Sequence, residues 1–379
     1  MKKKTILLLL IVVAPLLLNA QTLRLANERM EEYVYLLQDK KVGVVCNQSS
    51  FVNNTFLVDT LLSCDVNITE IFSPEHGLKG NQEAGKQINN SIYDKDSIPI
   101  ISLYGNNRKP TIEQMNKVDV IVFDLQDVGC RFYTYISTLE LVMKACVESD
   151  KELIVLDRVN PNNFVDGPVL DTALRSFVGM QPIPICYGLT IGEYALMLNG
   201  ENWINEENKC KLSVIEMENY CRQEYNSLAQ CPSPNLQNDT AIMNYPTLCL
   251  FEGTKVSVGR GTNEPFQVIG YPRYSDTTLS FSPVSIKGVS EEPPYKDSIC
   301  YGKKVVIEDN KIHLQYIIDM YNSYPEKEKF FSSFFDKLCG DSQLKEDIKA
   351  GKSEKDIRKQ WEEKTKEYLK IRNKYIIYN

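Results

Sequence analysis

Short apolar runs that each end in polar residues recur along the first half of the chain, and they restrict its fold more than any other feature. Each run has the length of a strand, and a helical pattern over residues 137–148 lies between the last two. The runs are Lys41–Cys46, Val66–Phe72, Pro99–Leu103, Val118–Phe123 and Leu153–Leu156. Short apolar strands that alternate with helices are typical of an α/β fold with a doubly wound parallel sheet. We therefore predict such a sheet for the amino-terminal part of the chain.

Polar and ionisable side chains follow these runs, where the predicted strands end. In open parallel sheets, ligands bind beyond the carboxyl ends of the strands. At any single position a polar residue can simply mark the start of a loop, but five strand ends together favour a binding site. The residues concerned are Asn47, Gln48, Glu75, His76, Tyr104, Asp127 and Arg158.

Motifs and charge argue against several functional classes. Neither G-x-G-x-x-G nor G-x-x-x-x-G-K-[ST] follows any run, so neither a dinucleotide nor a P-loop nucleotide is indicated. The 379 residues include 43 Lys and Arg against 50 Asp and Glu, which leaves no basic surplus for binding a nucleic acid. The chain has two histidines and 11 cysteines without a C-x-x-C pair, so we predict neither a metal site nor another cofactor.

The first twenty residues have the pattern of a secretory signal peptide. Three lysines at positions 2–4 precede an apolar run from Ile6 to Leu18, and the small residue Ala20 follows. The run is shorter than the ~20 residues that span a bilayer, and an uncleaved membrane anchor is the alternative. We predict cleavage after Ala20, export to a periplasm, and no stable membrane insertion of the mature protein.

The composition of the chain changes after residue 199, which indicates a second domain. Residues 200–230 are polar with mixed charges, and the two prolines of Cys231–Asn235 then favour the extended backbone of a connection between domains. We predict an α/β domain over residues 21–235 and a smaller, mixed α+β domain over residues 236–379.

Two helical segments and one group of cysteines complete the local predictions. Helical spacing of apolar residues predicts a helix over residues 22–40. A second helical region is expected in the tail, where Ser353 and Asp356 form a capping box. Cys210, Cys221 and Cys231 lie in a polar stretch and are candidates for disulfide pairing, which the sequence alone leaves open.

Glu75 and His76 form the sharpest local motif. They stand side by side after a buried strand and before Gly77, which permits a tight turn. Apolar neighbours would favour the acid form of Glu75, as a general acid requires. His76 would orient the substrate or transfer protons itself. The alternative is an ordinary loop with a solvated glutamate and a hydrogen-bonded histidine.

Two further groups of charged residues are candidates for the site. Asp127 and Arg131 lie in a dense polar segment, and a guanidinium presents a planar fork that suits a substrate carboxylate. An internal ion pair between the two residues is the alternative. Glu252 and Arg260 bracket a glycine-containing stretch in the second half, where the backbone can approach a ligand closely.

Taken together, the motifs resemble those of the exo-β-N-acetylmuramidase family, glycoside hydrolases formerly classed as a domain of unknown function. The resemblance extends from about Val42 to Tyr378, and so many motifs in one order make chance similarity implausible. The segments that carry it are Cys46–Ser49, Phe72–Gly80, Ser102–Gly105, Lys109–Thr111, Val122–Gly129, Arg131–Tyr135, Leu156–Pro161, Asp166–Asp171, Gly188–Glu193, Pro232–Asn235, Leu250–Thr254 and Gly259–Thr262.

The resemblance implies a Rossmann-like domain joined to a smaller auxiliary domain that closes a cleft between them. It implies release of N-acetylmuramic acid from the non-reducing end of peptidoglycan fragments. By the family's motif, Glu75 and His76 stand at the catalytic positions. We expect Arg131 or Arg260 to bind the lactyl carboxylate of muramic acid. The full set of expected substrate-binding residues is Asn47, Gln48, Tyr104, Arg131, Tyr133, Glu252 and Arg260.

Two segments depart from the family pattern, and both bear on substrate preference more than on the reaction. Many members carry His-Gly-Met-Thr where this chain has Tyr187–Thr190. Many also carry glycines after an Arg-Pro-Asn-Pro segment, whereas this chain has Arg158–Asn163.

The second catalytic group is less constrained by the sequence. We predict Asp127 as the partner carboxylate because its strand and that of Glu75 belong to one sheet, while Glu193 and Glu252 are the alternatives. The 2-acetamido group of the substrate could act as the nucleophile in place of a second carboxylate. The sequence therefore leaves open whether the anomeric configuration is retained or inverted. A non-catalytic glycan-binding protein is the competing function. An esterase or amidase is weaker, since G-x-S-x-G is missing.

Overall fold

A seven-stranded, mostly parallel sheet forms the amino-terminal part of the protein. The computed structural model describes residues 22–83, 85–86 and 89–379, so the predicted signal peptide lies outside the described residues. The strands are β1 (Val42–Cys46), β2 (Phe51–Val52), β3 (Thr55–Phe56), β4 (Ile68–Ser73), β5 (Ser91–Tyr93), β6 (Ile98–Ser102), β7 (Val120–Asp124), β8 (Glu152–Leu156), β9 (Val165–Asp166), β10 (Cys186–Tyr187), β11 (Lys211–Ile215), β12 (Val268–Tyr271), β13 (Leu279–Phe281) and β14 (Cys300–Lys304).

Helices cover the sheet and build most of the carboxyl-terminal part. The α-helices are α1 (Leu57–Ser63), α2 (Ile112–Met115), α3 (Tyr135–Glu148), α4 (Ile191–Gly200), α5 (Asp239–Leu248), α6 (Leu314–Ser323), α7 (Phe334–Cys339), α8 (Ser342–Lys349), α9 (Glu354–Lys359) and α10 (Glu362–Arg372). Short 3₁₀ helices span Ala26–Glu28, Met30–Glu32, Val34–Leu37, Lys95–Ser97, Thr172–Leu174, Cys249–Gly253 and Lys327–Lys329.

The large sheet has the strand order β11-β8-β7-β1-β4-β6-β5. Its pairs are parallel except for β5, which runs antiparallel to β6. Strands β4 and β6 lie on one side of β1 and strands β7, β8 and β11 on the other, so the order reverses at β1. Such a reversal opens a crevice beyond the carboxyl ends of the strands. This topology confirms the predicted α/β fold.

The five predicted strands are confirmed as β1, β4, β6, β7 and β8, with ends that shift by one or two residues. All five residues of β1 are buried, as expected for a central parallel strand. Strand β11 was not predicted. It lies at the edge of the sheet inside the polar stretch, where Lys211 and Ser213 are exposed and only Ile215 of its five residues is buried.

The predicted helix over residues 22–40 is wrong, because this segment consists of three short 3₁₀ helices. Asn27 is fully buried, and its side-chain amide donates to the Phe51 carbonyl and to Asp124. Tyr33 donates in turn to the Asn27 carbonyl. These contacts with the sheet override the helical spacing of the apolar residues.

The carboxyl-terminal part contains a three-stranded antiparallel sheet, in the order β12-β14-β13, packed with helices. The predicted helix start is present, since the Ser353 hydroxyl accepts a hydrogen bond from the Asp356 amide at the start of α9. Only this half of the predicted capping box is formed among the described residues, because the Asp356 carboxylate accepts from the Ser353 hydroxyl and not from its amide. The end of the chain returns to the large sheet, where the Tyr378 hydroxyl donates to Asp157 at 2.7 Å. One hydrophobic core therefore extends across both parts of the molecule.

All 11 cysteines are free thiols, and all of them lie in described residues. The disulfides considered among Cys210, Cys221 and Cys231 are therefore not formed in this structure. Of the described helices, none combines the length and apolarity that a bilayer span requires.

Candidate active site

A cleft of about 560 Å³ opens between the two parts of the molecule, beyond the carboxyl ends of β4 and β6. Both walls carry aromatic and ionisable side chains, as is usual for a binding site. The amino-terminal wall contributes Glu75, His76, Tyr104, Arg108, Tyr133, Thr134 and Phe177, and the opposite wall contributes Tyr245, Glu252, Arg260, Phe266, Phe334 and Lys337.

The turn that carries the two predicted catalytic residues has an uncommon backbone. Strand β4 ends at Ser73, and the Gly77 amide donates to the Pro74 carbonyl at 3.0 Å to close the turn. His76 and Gly77 follow one another in the left-handed region, with φ of 71° and 74°. Left-handed backbone is rare for residues other than glycine and is often found at functional sites. The turn delivers Glu75 and His76 to the same cleft.

Glu75 is half-buried and accepts hydrogen bonds from two neutral groups. The Thr134 hydroxyl, just before α3, donates to Oε2 at 2.7 Å. The Gly85 amide donates to Oε1 at 3.0 Å. Because both carboxylate oxygens are held, the side chain has a defined orientation at the cleft wall.

His76 is almost fully buried, and its tautomer follows from its hydrogen bond. Its Nδ1 lies 2.8 Å from the Gln82 carbonyl, which can only accept, so Nδ1 carries the proton. Burial lowers the pKa of His76 and the nearby Arg260 lowers it further, while Glu75 acts in the opposite direction. The imidazole is therefore neutral near neutral pH, and its Nε2 is available as a proton acceptor.

The carboxylates that line the cleft differ in their ionic partners. Glu83 pairs with Lys86 at 2.9 Å, Glu252 pairs with Arg260, and Glu292 pairs with Lys296 at 2.9 Å. Glu75 forms no ion pair with any described residue. Among the described residues, it is thus the cleft carboxylate whose charge is not neutralised by a neighbouring lysine or arginine.

The carboxyl-terminal wall presents Glu252 and Arg260 as a half-buried ion pair. The Arg260 guanidinium also lies 5.0 Å from the centre of the Phe266 ring, within range of a cation–π interaction. Gly259 has a φ of 78°, and a side chain there would collide with the Glu264 carbonyl. The glycine therefore allows the tight turn that aims Arg260 at the cleft.

Asp127, the predicted partner carboxylate, does not line the cleft. It is almost fully buried, where Oδ2 accepts hydrogen bonds from the Gly129 amide at 2.6 Å and from the Tyr187 hydroxyl. Burial raises its pKa to about 7, although these hydrogen bonds oppose the shift. The predicted partner carboxylate is therefore buried behind the cleft wall rather than exposed in the cleft with Glu75.

Arg131 likewise lies away from the cleft. It is fully buried, and its two terminal nitrogens donate to the carbonyls of Pro168, Ile183, Leu338 and Cys339. The alternative ion pair with Asp127 is not formed between these described residues, and the buried guanidinium is not among the groups that line the cleft, where a substrate carboxylate was expected. The side chain instead joins the two parts of the molecule.

The other predicted residues divide between the cleft and its surroundings. Tyr104 and Tyr133 line the cleft, and the Tyr133 hydroxyl donates to the Pro232 carbonyl at 2.8 Å. Asn47 is buried and donates to the Tyr135 hydroxyl at 2.7 Å. Gln48 also donates to the Pro232 carbonyl, at 2.9 Å, and lines a neighbouring pocket of about 990 Å³ that does not include Glu75.

Arg158 follows β8 and is buried rather than exposed to the cleft. It forms a two-pronged ion pair with Asp124, at 2.6 and 2.7 Å. At this strand end the polar residue therefore stabilises the core of the sheet and does not contribute to the cleft.

Sequence reasoning missed several residues of the cleft, notably Arg108, Thr134, Phe177 and Lys337. Thr134 lies inside a quoted family motif, and Arg108 directly precedes one, so both could have been considered. Phe177 and Lys337 carry no local signal, because only the tertiary fold brings them to the cleft. Within the described ranges, no cluster of His, Cys, Asp or Glu is arranged to hold a metal ion.

Comparisons with known proteins agree over nearly the whole chain. Residues 42–240 match the family model described as exo-beta-N-acetylmuramidase NamZ, N-terminal, and residues 243–378 match the corresponding C-terminal model. The chain is 35% identical over 376 residues to the peptidoglycan beta-N-acetylmuramidase NamZ of Bacillus subtilis (strain 168), covering 92% of this chain and 89% of the relative.

Two solved structures from Bacteroides fragilis NCTC 9343, both of DUF1343 family proteins, share the fold. One has a TM-score of 0.88 at 39% identity, and the other has a TM-score of 0.81 at 27% identity. Each alignment covers 94% of this chain and 99% of the other.

Proposed function

Because this chain belongs to the exo-β-N-acetylmuramidase family, we propose that it removes N-acetylmuramic acid from the non-reducing end of peptidoglycan fragments. Its relative from Bacillus subtilis is a peptidoglycan beta-N-acetylmuramidase, and the likeness extends over both parts of the chain. The protein is accordingly a glycoside hydrolase, and the proposal concerns its exo action and the residues that carry out the reaction.

One observation carries the assignment of the acid. Among the carboxylates that line the cleft, Glu75 alone has no ionic partner in the described part of the chain, whereas Glu83, Glu252 and Glu292 are each paired with a lysine or arginine. A cation held against a carboxylate stabilises its charged form and opposes protonation. In this proposal Glu75 donates a proton to the glycosidic oxygen as the bond to the sugar breaks.

His76 then supplies the second proton transfer. Its neutral imidazole offers Nε2 as an acceptor, because Nδ1 donates to the Gln82 carbonyl. In this proposal Nε2 takes a proton from the water that attacks the anomeric carbon. The buried position of Asp127 argues against the role of partner carboxylate that the sequence predicts for it.

We also propose that the enzyme acts outside the cytoplasm. Peptidoglycan lies there, and the first twenty residues have the basic, apolar and small-residue order of a signal peptide. Detection of the cleaved protein in a periplasmic fraction, with Gln21 at its amino terminus, would support this. An uncleaved protein that begins at Met1 and stays in the cytoplasm would contradict it.

Replacement of Glu75 by Gln tests the general acid. The variant keeps the shape of the side chain and removes the proton, so turnover of an unactivated N-acetylmuramyl-N-acetylglucosamine disaccharide should fall by ~10²-fold or more. The loss should be much smaller on a 4-nitrophenyl glycoside, whose leaving group needs little protonation.

Glu292→Gln is the matched control. It makes the same chemical change at a carboxylate that lines the same cleft, but whose side chain is 80% exposed and paired with Lys296. We expect its turnover to stay within about threefold of the wild type, because an exposed ion pair contributes little to the stability of the surrounding structure. Near-normal hydrolysis of the disaccharide by Glu75→Gln would refute the assignment, and a wild type that binds the sugar without hydrolysis would favour the non-catalytic alternative.

A further inference from the structure

The cations of the cleft are not all engaged. Arg260 is paired with Glu252, and Arg131 is occupied by backbone carbonyls outside the cleft. Arg108 and Lys337 also line the cleft, and both are exposed. Neither forms an ion pair within the described ranges 22–83, 85–86 and 89–379. The cleft therefore presents two cations that lack a counter-charge, one from each wall.

Arg108 is held in place although its charge is not neutralised. Its guanidinium carbon lies 4.5 Å from the centre of the Phe177 ring, and this stacking leaves the edge of the fork free. Phe177 packs in turn against Tyr104, with ring centres 6.0 Å apart. Tyr104 follows β6 and lies close enough to Glu75 for the glutamate to raise its pKa, an effect second to that of burial. A row of contacts thus connects Arg108 to the acid.

We propose that Arg108, stacked on Phe177, binds the lactyl carboxylate of N-acetylmuramic acid, and that Lys337 approaches the same anion from the opposite wall. The inference rests on the proposed function, since it assigns the group that recognises the substrate at that site. A guanidinium matches a carboxylate with two parallel hydrogen bonds, whereas an ammonium acts as a point charge. Arg108 is therefore the main determinant of specificity and Lys337 the lesser one.

This arrangement makes the free lactyl carboxylate itself the recognised feature. A sugar that lacks the lactyl group, or whose lactyl carboxyl is converted to an amide, has no anion for Arg108. Once bound, such sugars should still be hydrolysed at a similar rate. The hydrogen bonds that hold Glu75, from Thr134 and Gly85, do not involve Arg108. The loss should therefore appear mainly in KM.

Kinetics on a matched pair of substrates test the proposal. The substrates are the 4-nitrophenyl β-glycoside of N-acetylmuramic acid and the same glycoside with its lactyl carboxyl converted to the methylamide. For the wild type we expect kcat/KM to be about 10- to 100-fold higher on the acid, the range for a hydrogen bond to a charged group. Arg108→Gln should lose this factor on the acid and change little on the amide.

Two variants guard against indirect effects. Lys109→Gln alters the neighbouring residue, which pairs with Glu148 and does not line the cleft, and it should keep the wild-type preference. Phe177→Leu removes the ring beneath the guanidinium but not the charge, and it should lose part of the preference. An Arg108→Gln variant that still favours the acid as strongly as the wild type would overturn the proposal.

Binding without turnover separates this proposal from the proposed function. Calorimetric titration with free N-acetylmuramic acid should show an affinity about 10-fold or more weaker in Arg108→Gln than in the wild type. The affinity for N-acetylglucosamine should be unchanged. If the wild type binds muramic acid through Arg108 but hydrolyses neither glycoside, the proposed function fails and the recognition stands. If the wild type hydrolyses the acid and Arg108→Gln binds muramic acid normally, the recognition fails alone.

Discussion

At the scale of single residues, the chemistry of the cleft depends on how His76 is held. Its left-handed backbone and the hydrogen bond from Nδ1 to the Gln82 carbonyl fix both the direction and the tautomer of the ring. Burial keeps the ring neutral. A neutral imidazole with a free Nε2 accepts a proton, whereas a protonated one cannot.

Replacement of His76 by Asn removes the base and preserves the turn. Asparagine tolerates left-handed backbone and can donate to the Gln82 carbonyl in place of Nδ1. We expect kcat/KM to fall by ~10²-fold or more. Asp127→Asn is the contrasting variant, and because that residue lies outside the cleft we expect it to keep most of the activity. The reverse result would restore Asp127 as the partner.

The pH dependence of kcat/KM offers an independent check on His76. The pKa of this histidine is lowered from its ordinary value of 6.5. The base acts only when it is neutral, so wild-type kcat/KM should fall as the pH decreases through a pKa below 6.5. His76→Asn should lack this acid limb. A limb that persists unchanged in the variant would assign the titration to another group.

Some residues of the site could be predicted from the sequence and others could not. Glu75 and His76 could be identified because they are adjacent in the chain and follow a recognisable strand. Asp127 could not be placed in the same way. Its buried carboxylate is held by a hydrogen bond from Tyr187, which is 60 positions away in the sequence and carries no local signal of this contact.

At the scale of elements, Arg131 connects α7 to the loops around β9 and β10. Two of its bonds reach the Leu338 and Cys339 carbonyls at the carboxyl end of α7, where the helix dipole favours a cation. Gly340 ends this helix with a φ of 70°, and a side chain there would collide with the guanidinium. Because α7 carries Lys337, the bond network also supports the cleft wall.

Arg131→Met should destabilise the protein strongly. The substitution keeps an apolar stem of similar length but removes a donor from four buried carbonyls, of which that of Ile183 keeps the Leu170 amide as a second donor. We expect a loss of ~3–5 kcal/mol in the free energy of unfolding. Urea denaturation measures it. Arg273→Met is the control, since its ion pair with Glu326 is exposed and should be worth less than ~1 kcal/mol. Equal midpoints for the two variants would show that Arg131 does not link the elements.

Elements in the sheet were easier to predict than those around it. Strands β1, β4, β6, β7 and β8 are continuous apolar runs, because both faces of a parallel sheet are covered. Edge strand β11 and the 3₁₀ helices before β1 lack such a signature. Their conformation depends on contacts with distant parts of the chain, such as those that bury Asn27.

At the scale of the whole molecule, the cleft forms where the amino-terminal and carboxyl-terminal parts of the chain pack against each other. Glu75 and His76 come from the sheet, whereas Glu252, Arg260 and Lys337 come from the opposite wall. The tail then returns to the sheet through Tyr378 and Asp157. The sequence predicts a domain boundary near residue 235, and the hydrophobic core includes residues from both sides of that position. The predicted boundary itself stays a prediction.

Exo action from the non-reducing end is the central claim, and a time course on a defined glycan tests it most directly. The substrate is a peptidoglycan tetrasaccharide that begins with N-acetylmuramic acid and carries a fluorophore at its reducing end. We expect free N-acetylmuramic acid and a labelled trisaccharide to appear first, in equal amounts, without labelled disaccharide. Early release of a labelled disaccharide, or of no muramic acid at all, would contradict the proposed function.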